Sequence, residues 1–146
     1  MYVPGWKLIG TVIGAVYCLL GSSMLLRGVQ SAMQPFGVPE TTLNSPHFAD
    51  FFHFLFVHMV VLGILTVLLA RFVNEGRQQR IAAWVLFAIN LHYTYLDFRT
   101  SDSALGNSLY HGPGTLVPPL IDVVVTLAWL YLALRPLRER VLAAAE

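Results

Sequence analysis

The sequence predicts an all-α integral membrane protein, an up-down bundle of four transmembrane helices forming a single domain over residues 1–146. Two observations carry this. Only 12% of the residues are charged and 56% are hydrophobic, whereas a water-soluble chain carries about 25% charged residues. The charges also bracket long neutral runs: 19 residues between Lys7 and Arg27, 20 between Asp50 and Arg71, and 16 between Arg80 and Asp97, while Asp122 alone interrupts the stretch from Asp102 to Arg135. A helix crossing ~30 Å of hydrocarbon takes roughly 17 to 25 apolar residues. A net charge of +1 leaves no basic stripe for nucleic acid. The single cysteine, Cys18, rules out an intrachain disulfide scaffold.

The first span covers residues 8–26. Its apolar stretch is longer than a secretory signal core and no small-x-small cleavage pattern follows, so it is expected to remain in the protein. Cys18 follows Ala15, Val16 and Tyr17, a poor context for lipidation, and is read as a packing residue. Span two covers 46–70. Ser45 can cap its start, and Pro46 suits the first turn because the amide hydrogen it lacks has no intrahelical partner there. Span three covers 81–98. Span four covers 116–134: Pro118 and Pro119 are tolerated only in a first turn, so its regular part begins near Val117, and Arg135 and Pro136 end it.

The inner connection, 71–80, is short and makes spans two and three antiparallel neighbours. Lys7, Arg71, Arg77, Arg80, Arg135, Arg138 and Arg140 flank one face, against Arg27 and Arg99 on the other. This excess of basic residues puts both termini in the cytoplasm. Trp6, Trp84 and Trp129 fall toward the inner ends of their spans, with Tyr2 and Tyr131 beside them, and read as an interfacial belt. The outer loop 27–45 contains Gly28, Pro35, Gly37 and Pro39. Its apolar members Val29, Met33, Phe36, Val38 and Leu43 suggest a segment lying on the membrane surface with one short helix. The second outer loop, 99–115, shows no usable periodicity. The Ala-rich tail after Arg140 is expected to be a short surface helix or frayed.

Gly10 and Gly14 form a small-xxx-small pair, continued by Cys18, Gly21 and Ser22. Such a stripe permits close helix approach, either inside the bundle or in a homodimer.

Polar residues placed by depth point to a site. At ~1.5 Å per residue, His58, Asn90 and Asp122 lie about 10 to 12 Å from the outer ends of their spans. His53, His92, Tyr93 and Asp97 form a second layer nearer the outer surface. On span two, Asp50, Phe54 and His58 share a stripe, and on span three so do Asn90, Tyr93 and Asp97. These residues suggest a pocket opening outward between spans two, three and four, walled by Phe51, Phe54, Tyr93, Tyr95 and Phe98. An Asp inside a membrane costs at least ~2.5 kcal/mol on insertion scales and normally finds a partner. For Asp122 the natural one is His58, a candidate proton acceptor or ligand anchor. Blander readings stand beside these. Asp122 can sit in the first turns near headgroups, His53 can bond headgroups or water, Asn90 can be interhelical glue, and His111 can be a solvated loop residue. No catalytic residue is recognisable, and an enzyme is the less favoured class.

The layout resembles the BphX-like group of small four-span bacterial membrane proteins, with the DoxX-like proteins a looser parallel. The resemblance is carried by the glycine-bearing first span, the segment Gln34-Pro35-Phe36-Gly37-Val38-Pro39, and the run Ser45-Pro46-His47-Phe48-Ala49-Asp50-Phe51-Phe52-His53 that opens span two. It implies a bacterial inner-membrane location and a role without assigned chemistry, and it supplies no catalytic residues.

The expected function is therefore that of an accessory membrane protein holding a lipid, quinone or aromatic compound. The alternative is a redox protein with haem or metal ligated by histidine. His53 and His92 come closest to matched axial ligands, whereas His53 and His58 are about 140° apart around one helix and diverge. Proton-coupled transport through Asp122 is a third possibility, weakened by the absence of a polar path in the inner half.

Overall fold

The computed structural model describes residues 2–101 and 116–135. The second outer loop beyond Ser101, with His111, and the segment after Arg135, with Pro136, Arg138, Arg140 and the Ala-rich tail, lie outside the described residues. The described residues are all-α. There are four long helices, α1 (Trp6–Arg27), α4 (Pro46–Phe72), α5 (Gly76–Ser101) and α6 (Val117–Leu134); two short ones, α2 (Val29–Met33) and α3 (Glu40–Leu43), with a 3-10 turn at Gln34–Phe36, connect α1 to α4.

The four expected spans are all helices, and α6 begins at Val117 as the prolines require. The inner connection shrinks to Val73, Asn74 and Glu75, because α5 starts at Gly76 rather than near residue 81. At the start of α4, Pro46 occupies the first turn, but the Ser45 side chain makes no cap bond. Three helices, α1, α4 and α6, are long and apolar enough to cross a membrane. α5 is as long but less apolar, since Arg77, Gln78, Gln79, Arg80, Asn90, His92, Asp97 and Arg99 interrupt it.

The long helices pack as two pairs, α1 with α4 and α5 with α6. In the first pair Gly10 meets Ala70, Gly14 meets Gly63 and Val67, and Gly21 meets Phe56 and Val60. Numbers rise along α1 as they fall along α4, so the pair is antiparallel. The approach is backbone to backbone. A Cβ placed on Gly14 would stand 2.6 Å from the Gly63 carbonyl oxygen, and one on Gly63 would stand 2.7 Å from Cys18 Sγ. The small-residue stripe is thus occupied within the chain, with Gly10, Gly14 and Gly21 buried against α4. It leaves no such face on α1 for the homodimer contact through Gly10 and Gly14.

The pairs meet through the other flank of α1. Trp6 packs on Trp129, with ring centroids 6.1 Å apart, and both are 1% exposed within a core that includes Ile13, Tyr17, Leu86, Val125 and Leu132. The expected tryptophan belt therefore needs correction. Trp6 and Trp129 are interior side chains, Trp6 donating through Nε1 to the Leu69 carbonyl at 3.3 Å, and only Trp84, with Tyr131, faces outward. An indole suits an interior as well as an interface, through its acceptor in Trp6 and through packing alone in Trp129, whose Nε1 is buried without a partner among the described residues, so position along the helix did not separate the two.

At this end a polar clasp joins three segments. Buried Gln79 accepts from the Val3 amide at 2.7 Å and donates to the Val73 carbonyl at 2.9 Å. Arg135 donates to the Pro4 carbonyl at 3.2 Å, and Arg80 donates to the Arg135 carbonyl at 3.0 Å. At the opposite end, Gly28 takes φ +76°, a conformation that disfavours any Cβ, and turns the chain from α1 into α2. Ala32, Met33, Val38 and Leu43 then pack on Phe52 and Phe56 as a second small core. Segment 27–45 is thus a folded cap on the α1–α4 pair, with two short helices and a 3-10 turn, where a surface segment with one helix was expected.

Gly14→Val should lower unfolding stability in detergent by about 1–3 kcal/mol, the usual cost of overpacking a close contact, while the oligomeric mass stays as in wild type. Leu19→Ala, at a side chain 72% exposed, should change stability by less than about 0.5 kcal/mol.

Candidate functional site

Four long helices place the expected site residues on different faces. On α5, spacings of three and four put Gln79, Ala83, Leu86, Asn90 and Thr94 in one buried stripe, continued by half-buried Asp97. On α6 the equivalent stripe is Pro119, Val125, Thr126, Trp129 and Leu132, with half-buried Asp122 one turn before Thr126. Where these stripes face α1 a hydrogen-bonded column forms. Tyr17 donates through its hydroxyl to Asn90 Oδ1, and Asn90 Nδ2 donates to the Leu86 carbonyl at 2.8 Å. Thr94 donates to the Asn90 carbonyl at 2.9 Å, and its hydroxyl lies 2.9 Å from that of Thr126.

Asn90 is 0% exposed. In a chain interior that water does not reach, its amide must be satisfied by other residues, and Tyr17 and the Leu86 carbonyl do this. Nearer the C-terminal end of α5, Asp97 lies within electrostatic reach of Asp122, and Tyr17 within reach of Asp122, Tyr93 and Asp97. Both carboxylates are half-buried, as is Tyr93. Among the described residues neither carboxylate has a hydrogen-bonded or ion-paired partner. The structure therefore brings together Asn90, Tyr93, Asp97 and Asp122, between α1, α5 and α6.

His53, His58 and His92 are not brought into this group. All three are exposed on the outer faces of their helices. His58 Nδ1 bonds the Phe54 carbonyl of its own helix at 3.0 Å, and its ring lies 4.0 Å from that of Phe54. The expected His58–Asp122 pair is not formed, and the stripe Asp50, Phe54, His58 faces outward. The cause is the close approach of α1. It takes the face of α4 that carries Phe52, Phe56, Gly63, Thr66 and Ala70, and the histidine stripe is left on the other side. Of the expected aromatic walls, Phe51, Phe54 and Tyr95 are 60%, 61% and 55% exposed, and only Tyr93 and Phe98 are half-buried. Among the described residues no group of three or more His, Cys, Asp and Glu is placed to hold a metal ion.

Sequence reasoning missed Tyr17, Thr94 and Thr126. A usable signal existed for the first. Tyr17 stands ten residues after Lys7 and Asn90 ten after Arg80, which puts both about 15 Å from the charges that begin the neutral runs of two parallel helices. A phenol at that depth needs a partner. The chain matches no protein-family model, no curated protein and no solved structure at a significant level.

A double-mutant cycle of Tyr17→Phe and Asn90→Leu should return a coupling of about 0.6–1.7 kcal/mol, the range of interhelical hydrogen bonds in membranes. His58→Leu should leave stability within about 0.5 kcal/mol of wild type, whereas a His58–Asp122 ion pair would make it strongly destabilising.

Proposed function

We propose that the protein is a small, non-enzymatic accessory protein of the bacterial inner membrane. Its four spans run up-down, both termini are cytoplasmic, and it holds a small hydrophobic molecule in an outward-opening crevice between α1, α5 and α6. The same reading groups it with the BphX-like four-span proteins. Support for membrane residence comes from three helices of spanning length and composition. α5 would be the fourth span. Its middle, residues 81–96, is free of fixed charge, and its buried polar side chains are satisfied by α1, α6 and its own backbone, so they present no unpaired group to lipid.

The observation that carries the ligand reading is the half-buried group Tyr93, Asp97 and Asp122. Intramembrane carboxylates normally pair with a cation or a hydrogen-bond donor, and these two have none among the described residues. A lipid, quinone or aromatic compound bearing hydroxyl or amine donors would fill that role. Its apolar part would lie against Phe98, and Asn90 and Tyr17 would form a rigid floor.

Native mass spectrometry after mild extraction should show a retained hydrophobic small molecule in wild type, released from the double variant Asp97→Asn with Asp122→Asn. A wild-type protein that emerges without any ligand would overturn the reading. Orientation is checked separately in a Cys18→Ser background. A membrane-impermeant maleimide added outside intact cells should label Glu40→Cys and spare Glu75→Cys.

A further inference from the structure

A cleft of about 340 Å³ opens at the capped end of the α1–α4 pair. It shares no residue with the group Asn90, Tyr93, Asp97 and Asp122 between α1, α5 and α6. Arg27, the last residue of α1, Gly28 at the bend, and Val29, Gln30 and Ser31 of α2 form one wall, and Ala49, Asp50 and His53 on the first turns of α4 form the other. The bend at Gly28 keeps the walls apart, and nothing stands within 4 Å of where a Cβ would be on that residue. Gly28, Ser31 and Ala49 contribute little bulk, and Val29 and Gln30 complete the lining, so the cleft is part apolar and part polar, with Arg27, Asp50 and His53 as its charged and ring-nitrogen groups.

Those charges are opposite and exposed. Arg27 and Asp50 line the same cleft without forming an ion pair, and among the described residues neither they nor His53 make a side-chain hydrogen bond. Their level is also fixed. Arg27 ends the neutral run of α1 and Asp50 begins that of α4, so both stand where hydrocarbon gives way to headgroups. Below them the same two helices expose Leu19, Leu26, Phe54, Val57 and Val61 to the surroundings, a surface suited to acyl chains.

We propose that this cleft binds the headgroup of a zwitterionic phospholipid carrying a primary amine. The Arg27 guanidinium takes the phosphate, with the Ser31 hydroxyl and the His53 ring as further donors. The Asp50 carboxylate takes the ammonium. A ligand with both charges a few bonds apart completes both walls together. An anionic lipid without an amine satisfies only Arg27, and a quaternary amine offers Asp50 no N–H.

The test is competitive native mass spectrometry on the delipidated protein, using phosphatidylethanolamine, phosphatidylglycerol and phosphatidylcholine of matched chains. Wild type should retain phosphatidylethanolamine about fivefold better than either of the others, the factor expected of one well-placed exposed charge contact. Asp50→Asn should bring its advantage over phosphatidylglycerol close to one, and Arg27→Gln should weaken binding of all three. Both side chains are exposed, so an unchanged melting temperature certifies the fold of each variant. Equal retention of the three lipids by wild type, or a preference that survives both substitutions, overturns the proposal. A free phosphoethanolamine arm separates the sources: binding of the soluble compound without retention of the lipid overturns assignment to a lipid.

Discussion

The contact of Gly14 with Gly63 determines the arrangement of the other helices. Apolar side chains gain little from associating in lipid, because the surroundings are equally apolar. What favours association there is close van der Waals contact and weak Cα–H to carbonyl bonds, and both need the backbones near each other. Glycine on both sides of the seam supplies that nearness, extended by Gly10 against Ala70 and by Gly21 against the Phe56 carbonyl. Once α4 lies on this flank of α1, the flank with Ile13 and Tyr17 can only turn toward α5 and α6. The histidine stripe of α4 can only turn away. One seam thus decides which polar residues meet and which face outward.

The two ends of the molecule are then built differently. At one end Gln79, Arg80 and Arg135 tie the N-terminal residues, the start of α5 and the end of α6 through backbone carbonyls and amides. These bonds satisfy groups that helix termini leave open, and Trp6 and Trp129 fill the space beneath them. At the other end α1 and α4 receive their own cap and small core, while α5 and α6 carry half-buried carboxylates. One end tied through backbone hydrogen bonds and another carrying half-buried carboxylates give the bundle a polarity that a symmetric bundle lacks.

Much of this was legible in the residues, for identifiable reasons. Helix positions followed from charge spacing, since a fixed charge is too costly to lie far inside an apolar helix facing lipid, and from Pro46, Pro118 and Pro119, which fit only first turns. The stripe Asn90, Tyr93, Asp97 was correctly assigned to one face because helical periodicity is local. Which face turns inward is not local. On α4 the aromatic and histidine stripe looked more like an interior than the stripe of Gly63, Thr66 and Ala70, although the latter matches Gly10 and Gly14 in size and spacing. Reading small residues on two helices as complements, rather than one helix's motif alone, would have turned α4 the right way. The tryptophans failed for a related reason: the sequence gives their depth, and depth does not tell whether a neighbour covers them.

Part of the lower apolarity of α5 follows from the same geometry, and the rest comes from exposed Arg77, Gln78, His92 and Arg99. A helix scored on composition alone is charged for every polar residue, wherever it points. On α5, Gln79, Asn90 and Thr94 are buried and hydrogen-bonded, so their cost to the surrounding lipid is removed by neighbours rather than by apolar composition. That arrangement makes α5 dependent on its partners in a way α4 is not. Asn90 Nδ2 and the Thr94 hydroxyl donate to carbonyls of α5 itself, but Asn90 Oδ1 depends on Tyr17 of α1 and the Thr94 oxygen meets Thr126 of α6. The helix least suited to entering a bilayer alone is therefore the one most firmly specified inside the bundle, and the polar column that makes it so also forms the floor beneath Asp97 and Asp122.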